Sequence, residues 1–160
     1  MAVDMFLKIA EIPGESNDQK HKDEIEIFSF SWALSQSGSL GSGGGGGAGK
    51  SEFQDFSFSM PVSKASPKLF LACANGKHLK DATLTVRRAG GTQLEFLVYK
   101  LSDCLVSSYQ EGGDSAGAAP NDAFSLAFAK IEVSYKEQDS KGGVAGETTA
   151  GWDLKANQAG

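Results

Sequence analysis

Hydrophobic and polar residues alternate along most of this chain, with the period expected of strands that have one face in a core. The clearest example lies within residues 24–36. Two sets of side chains alternate there: Phe28, Phe30, Trp32 and Leu34 on one face, and Ser29, Ser31, Ala33 and Ser35 on the other. We expect the large apolar side chains, Phe28 included, to face the core and the small side chains to face outward.

The same alternation predicts further strands elsewhere in the chain: 52–60, 82–88, 94–108 and 123–135. Within 82–88, Leu84 and Val86 are expected to face the core, with Arg87 on the opposite face. The apolar positions of the last strand shift by one residue, which predicts a β-bulge near Ala129. Small residues and glycines fill 111–122 and 140–151, which predicts loops there. The fold class indicated is mostly β.

One segment, residues 63–78, has helical spacing instead. Ser66 is a suitable N-cap, and Pro67 suits the first helical position. The apolar stripe expected to dock on the sheets consists of Leu69, Phe70, Cys73 and Ala74. Gly76 fits a left-handed C-terminal stop. Because so short a helix is marginal alone, it must pack against the strands.

The octapeptide GGGGAGKS, residues 44–51, matches the phosphate-binding pattern G-x-x-x-x-G-K-[ST]. A P-loop functions because a helix follows it and points backbone amides at the phosphates. Here the alternating residues 52–60 follow and predict a strand. We therefore expect no nucleotide cofactor at this motif.

The glycine-dominated segment 37–52 needs another explanation. Ordering a glycine backbone is costly, so a mobile hairpin tip is the simplest interpretation and the one that composition alone favours. The alternative is that a second subunit orders the segment, because glycine permits close backbone approach. Composition leaves both interpretations open.

Composition and charge narrow the functional classes. The 160 residues suit a single domain, 1–160, and the net charge of −5 argues against a nucleic-acid groove or an anionic membrane as partner. The N-terminus lacks the pattern of a signal peptide, and no apolar run approaches the ~20 residues that span a bilayer. Cys73 and Cys104 are interpreted as small buried residues without a disulfide.

Candidate catalytic residues are sparse. His21 lies in a charged segment expected to be solvated, and His78 follows the predicted helix stop. Neither histidine has a nucleophile and an orienting acid at recognisable spacing, so we expect no enzyme, no metal and no cofactor.

Several segments together carry a family resemblance: MAVDMFLKI, SWALSQSG, GGGGGAGK, QDFSFSMPVSKASPKLFLACANGKH, LTVRRAGG and GWDL. In this order they resemble the haemolysin-coregulated protein (Hcp) family of type VI secretion systems, over nearly the whole chain. The resemblance implies a β-barrel-like fold of two sheets with one docked helix. It also implies a hexameric ring whose stacked copies form a tube inside a contractile sheath, with a VgrG-type spike at the tip and small effector proteins in the lumen.

The resemblance also suggests roles for individual residues. Ser29 and Ser31 are expected to face the lumen. The loop 37–52 is expected to contact adjacent rings through its central residues: Leu40, Gly43, Gly44, Gly45, Gly46, Gly47 and Lys50. Arg87 and Arg88 are further candidates for contacts between subunits, with Glu52 and Asp55 as candidate acidic partners.

The family implies cytoplasmic assembly followed by secretion without a cleaved signal peptide. A monomeric β-barrel that binds a small ligand is the alternative function. It would require an apolar cavity ringed by a few polar groups.

Overall fold

The computed structural model describes residues 2–38, 51–91, 93–117 and 119–160. One α-helix, α1 (Ala65–Asn75), and eleven strands lie within these ranges. The strands, in chain order, are β1 (Val3–Ile9), β2 (Ile25–Glu26), β3 (Ser29–Ser31), β4 (Leu34–Gln36), β5 (Ser51–Phe53), β6 (Phe56–Pro61), β7 (Leu79–Arg88), β8 (Glu95–Gly112), β9 (Asn121–Gln138), β10 (Val144–Asp153) and β11 (Gln158–Ala159).

The two longest strands, β8 and β9, organise the fold. They pair with each other from Leu97↔Tyr135 to Gly112↔Asn121. The other edge of β9 is shared, because β6 pairs with its first part and β10 with its second part. The main sheet has nine strands, seven of them in the order β11-β10-β9-β8-β7-β1-β2. The other two form a branch at β9, where β6 pairs with β9 and β3 pairs with β6. Strands β4 and β5 form a separate two-stranded sheet.

The sheet comes close to closing on itself between β2 and β3. The Ile27 N–H donates to the Met5 carbonyl at 3.0 Å, and the Phe28 N–H donates to the Ser59 carbonyl at 2.8 Å. These bonds link β1 to β6 at one point, but the strand order remains open. The predicted mostly β fold with one docked helix is confirmed, whereas the barrel-like closure is corrected to an open sheet.

The buried positions within residues 24–36 differ from the predicted ones. Ile25 and Ile27 are buried, Phe30 is half-buried, and Phe28 between them is 59% exposed. The buried positions change from odd to even numbers at this point, because the segment forms three short strands and not one. Phe28 lies at the change and faces outward, so its assignment to the core was wrong. Leu34, in the separate sheet, is exposed as well.

The start of α1 also differs from the prediction. The helix begins at Ala65, and Lys64 occupies the N-cap position without a side-chain cap. Ser66 lies inside the first turn, where its hydroxyl accepts from the Ser63 N–H at 3.0 Å and donates to Asp122. Ser66 is therefore not the N-cap, and Pro67 is not the first helical residue.

The buried stripe of α1 is rotated from the predicted one. It consists of Ala65, Ser66, Leu69 and Ala72. Phe70 is 59% exposed and Ala74 is exposed, so both were wrongly assigned to the docked face. The spacing of four and then three residues from Ala65 defines the stripe. The left-handed stop at Gly76 is confirmed, with φ at 63°.

The C-terminal third contains more strand than the sequence predicts. Residues 144–153 form β10 despite their glycines, because β9 supplies a continuous hydrogen-bonding partner. A Cβ at Gly151 would lie 3.1 Å from the Ile131 carbonyl oxygen, so this glycine permits the close approach. The register shift of the β8–β9 pair lies in β8, between Val106 and Ser108, and not near Ala129. The apolar shift near Ala129 instead marks the point where β9 changes its neighbour from β6 to β10.

Candidate functional site

Six serines share one face of four adjacent strands. The register pairs Ser29 with Ser59 and Ser31 with Ser57 between β3 and β6. It then pairs Ser57 with Ser125 of β9, and Ser125 with Ser108 of β8. Paired positions project to the same side of a sheet. The resulting surface, called the serine face below, consists of Ser29, Ser31, Ser57, Ser59, Ser108 and Ser125.

Hydroxyl groups on this face bond to one another. The Ser29 and Ser59 Oγ atoms lie 2.5 Å apart. The Ser125 Oγ lies 2.5 Å from the Ser108 Oγ and 2.7 Å from that of Ser107, which occupies the irregular position of β8. Ser29 and Ser31 are exposed, as the alternation predicted. The surface therefore consists of small, uncharged side chains, and several of their hydroxyl groups are already hydrogen-bonded to one another.

The opposite face of the same strands is committed to the core. Phe58 stacks on Phe56, with ring centroids 5.0 Å apart, and on Phe124 at 5.2 Å. These rings are almost completely buried. Because successive residues of a strand point to opposite sides, burial of the phenylalanines directs the intervening serines outward.

The helix α1 closes the end of this aromatic face. Its Ser66 hydroxyl donates to the buried Asp122 carboxylate, and its exposed Phe70 contacts Tyr109 edge-on at 6.4 Å between ring centroids. Desolvation raises the pKa of Tyr109 above its ordinary range, and a hydrogen bond to Glu111 adds to the effect. The tyrosine is therefore neutral at physiological pH. Helix and serines thus lie on opposite sides of the sheet.

A second polar region is buried and ionic. Arg87 is 3% exposed, and its guanidinium donates to both Asp18 oxygens, at 2.9 and 2.6 Å, and to Asp4 at 3.3 Å. The Arg87 Cζ atom lies 4.8 Å from the centre of the Phe6 ring. The hydrogen bond from Arg87 lowers the pKa of Asp18 from its ordinary 3.8 to about 2. Within a single chain Arg87 is therefore already paired, and its role in contacts between subunits stays a prediction.

His21 belongs to the same region and is not solvated. It is 6% exposed and stacks on Phe6, with centroids 4.5 Å apart and planes within 7°. Its Nδ1 lies 3.0 Å from the Glu24 carboxylate, and its Nε2 lies 2.7 Å from Glu95. Both ring nitrogens of His21 therefore lie within hydrogen-bonding distance of a carboxylate. The charged cluster, defined as Asp4, Asp18, His21, Glu24, Arg87 and Glu95, therefore ties the segment before β2 to the sheet.

Comparison with known proteins identifies the family. The family model described as "Type VI secretion system effector, Hcp" matches residues 6–135. The chain is also 46% identical to protein hcp1 of Pseudomonas aeruginosa over 159 residues, and this alignment covers 98% of each protein. The chain belongs to the Hcp family. It is thus a secreted protein of type VI secretion systems.

Solved structures agree with this assignment. The structure of Hcp1 from Salmonella typhimurium is 36% identical, with a TM-score of 0.82 and 99% of each chain covered. A second structure, described as a type six secretion system protein, is 30% identical with a TM-score of 0.93, covering 99% of this chain and 100% of the other. The described residues of this chain therefore have the Hcp fold.

Part of the predicted site lies outside the described residues. Leu40, the glycines 43–47 and Lys50 belong to this part, so their role in ring contacts stays a prediction. Strands β5 and β6 follow the P-loop-like motif, so the prediction of strand and not helix there is confirmed, although the single strand expected over 52–60 is divided at residues 54–55. Glu52 and Asp55 are exposed, and Arg88 packs its guanidinium over Phe96 at 4.8 Å.

The described part of this Hcp chain offers little for catalysis or metal binding. No group of histidine, cysteine and acidic side chains within it could hold a metal ion. Cys73 is a half-buried free thiol. Burial raises the pKa of the Cys104 thiol to about 12, so Cys104 is a poor nucleophile. His78 lies 3.5 Å from Asp103 on the surface. Within the described ranges, no helix has the length and apolar character of a membrane span.

An apolar groove of about 470 Å³ lies between the β4–β5 sheet and strands β9 and β10. Its lining includes Trp32, Phe53 and Trp152, with Ser35, Gln36 and Ser51 as polar groups. The alternative ligand-binding function requires a site of this kind.

Proposed function

We propose that this Hcp chain is the subunit of the type VI inner tube, with residues 1–160 acting as one tube domain. Hexameric rings stack into the tube, and the serine face lines the lumen through which effector proteins are carried. The chain has no catalytic activity of its own. The serine face is the observation that carries this proposal, because the opposite face of the same strands is occupied by the core and α1.

The chemistry of the serine face suits a channel wall. A serine side chain is short and has little rotamer freedom to lose when a passing protein contacts it. Its hydroxyl keeps the wall wetted, while the bonds among Ser107, Ser108 and Ser125 reduce the number of free groups that could hold cargo. Ordinary exposed strands carry long charged side chains, which would narrow the passage and bind cargo of opposite charge.

The proposed partners follow from the family. They are further copies of the chain, a VgrG-type spike, the contractile sheath and small effector proteins, with no nucleic acid or membrane. The loop 37–52, through Leu40, Gly43–Gly47 and Lys50, is proposed to contact the next ring. The tube is assembled in the cytoplasm, and the subunit is then secreted without a cleaved signal peptide.

Gold labelling tests which face lines the channel. Ser31→Cys and, as a matched control, Lys68→Cys on the exposed side of α1 are made in a Cys73→Ala background. Cys104 is protected by its burial and raised pKa. Each variant is labelled sparsely with maleimide nanogold and imaged end-on by electron microscopy. We expect gold at the ring centre for position 31 and at the periphery for position 68.

Two results would overturn the proposal. Gold at the periphery for position 31 would place the serine face outside the ring. A monomeric mass by light scattering at micromolar concentration, combined with binding of a small apolar ligand in the groove near Trp152, would favour the alternative function.

A further inference from the structure

A polar cavity of about 510 Å³ adjoins the serine face. Its lining consists of Ser31, Trp32, Ala33, Phe53, Gln54, Asp55, Ser57 and Ser125. Three of these residues belong to the serine face itself. Any molecule that moves along that face therefore meets the cavity.

The Asp55 carboxylate is the charged group among the described residues that line the cavity. The Asp55 side chain is exposed and makes no hydrogen bond or ion pair with a described residue. The hydroxyls of Ser31 and Ser57 and the amide of Gln54 lie around the same space, and the described residues that line it include no lysine or arginine. The backbone N–H of Gln54 donates to the Ala33 carbonyl at 2.9 Å, which holds the segment carrying Asp55 against the end of β3. The carboxylate is thus positioned and lacks a counter-charge in the described chain.

The remaining walls are aromatic. Trp32 and Phe53 stack with centroids 6.4 Å apart and planes within 9°. Trp32 also stacks on the buried Phe56, which fixes its position. Aromatic rings beside a carboxylate and hydroxyl acceptors form the environment preferred by a planar cation with several donors.

We propose that this cavity binds an arginine side chain of the polypeptide carried along the serine face. The guanidinium donates to Asp55 and to the neighbouring hydroxyls, while its apolar stem contacts Trp32. The proposal rests on the tube function, because that function brings cargo to this face. It adds a chemical preference: cargo with an exposed arginine is retained better than cargo without one.

The test uses the full-length chain with Trp152→Phe, so that Trp32 is the only remaining tryptophan of the two. Its fluorescence is titrated with N-acetyl-arginine amide and, separately, with N-acetyl-citrulline amide, a neutral molecule of nearly the same shape. We expect a saturable change with the arginine compound alone. Asp55→Asn should weaken that binding about threefold to tenfold, as removal of a partly exposed charged partner does. Glu26→Gln, which removes an exposed carboxylate of β2 outside the cavity lining, should leave binding unchanged.

Equal responses to the two compounds, no response to either, or unchanged binding by Asp55→Asn would overturn the proposal. Particle mass separates this failure from failure of the tube function. If Asp55→Asn dissociates the ring without changing arginine binding, Asp55 is a contact between subunits and the tube function stands. If the unmodified chain is a monomer that still binds the arginine compound through Asp55, the site stands and the tube function fails.

Discussion

The serine face and the charged cluster use polar side chains in opposite ways. On the serine face the groups are small, neutral and mostly exposed, and Ser29, Ser59, Ser108 and Ser125 bond to hydroxyls on neighbouring strands. In the charged cluster the groups are carboxylates, an imidazole and a guanidinium, His21 and Arg87 are buried, and Arg87 reaches partners 69 and 83 positions away in sequence. The first arrangement leaves a surface that can change with little effect on folding. The second joins distant segments and cannot change without loosening them.

The largest effect should come from Arg87→Met, which leaves Asp4 and Asp18 without their cation. Removing one partner of a buried ion pair costs about 3–5 kcal/mol, and we expect about 2–4 because both aspartates keep some contact with water. Urea unfolding measures the loss. Lys80→Met, an exposed cation on the same strand, should stay within about 0.5 kcal/mol. Equal effects of the two variants would mean that the charged cluster does not stabilise the fold.

Trp32→Ala should be next in size. Trp32 is half-buried and stacks on Phe53 and Phe56 at 6.4 and 6.0 Å between centroids. Truncating a buried aromatic residue costs about 3–5 kcal/mol, and partial exposure should reduce this to about 2–3. Thermal unfolding, with the exposed Leu34→Ala as control, checks the value. A silent Trp32→Ala would show that the aromatic face next to the serine face is not part of the core.

This contrast explains which features the sequence could predict. Exposure of Ser29 and Ser31 follows from alternation, which is a local property of a strand. The pairing of these two serines with Ser57 and Ser59, and of Ser57 with Ser125, depends on the register between distant strands. The hydrophobic–polar pattern therefore did not predict it. Phe28 was wrongly placed because a change of phase within 24–36 leaves no mark in a hydrophobic–polar pattern.

The burial of His21 and Arg87 could not be predicted from the sequence for a related reason. Charged residues are ordinarily solvated, and their burial here depends on partners that only the folded chain brings near. Arg87 lies on the face of β7 opposite Leu84 and Val86, and the segment carrying Asp18 and His21 covers that face. A charged residue on a strand with both faces covered must be paired with an opposite charge, and no local sequence pattern indicates which residue is its partner.

The pH dependence of stability offers a graded test of the charged cluster. The pKa of Asp18 is about 2 in the folded chain, below its ordinary 3.8, because Arg87 bonds to the carboxylate. A lowered folded pKa gives stability that is fully present above the ordinary value and is lost as pH falls through the folded one. The stability difference between wild type and Asp18→Asn should therefore narrow from pH 4 to pH 2. A difference that stays constant over this range would contradict the ion pair.

The smallest change in stability should come from Ser31→Gln on the serine face. Ser31 is exposed beside Trp32, and substitutions at such positions usually change the free energy of unfolding by less than about 0.5 kcal/mol. The longer side chain projects from the sheet and narrows the proposed lumen, so cargo retention should change while ring mass stays constant. Thermal unfolding, light scattering and co-purification of an effector measure these three properties on one sample. Lys68→Gln on α1, across the sheet from Ser31, is the matched control and should alter none of them. If Ser31→Gln unfolds the protein while Trp32→Ala is tolerated, the two faces of this strand are assigned in reverse and the lumen wall lies on the other side of the sheet.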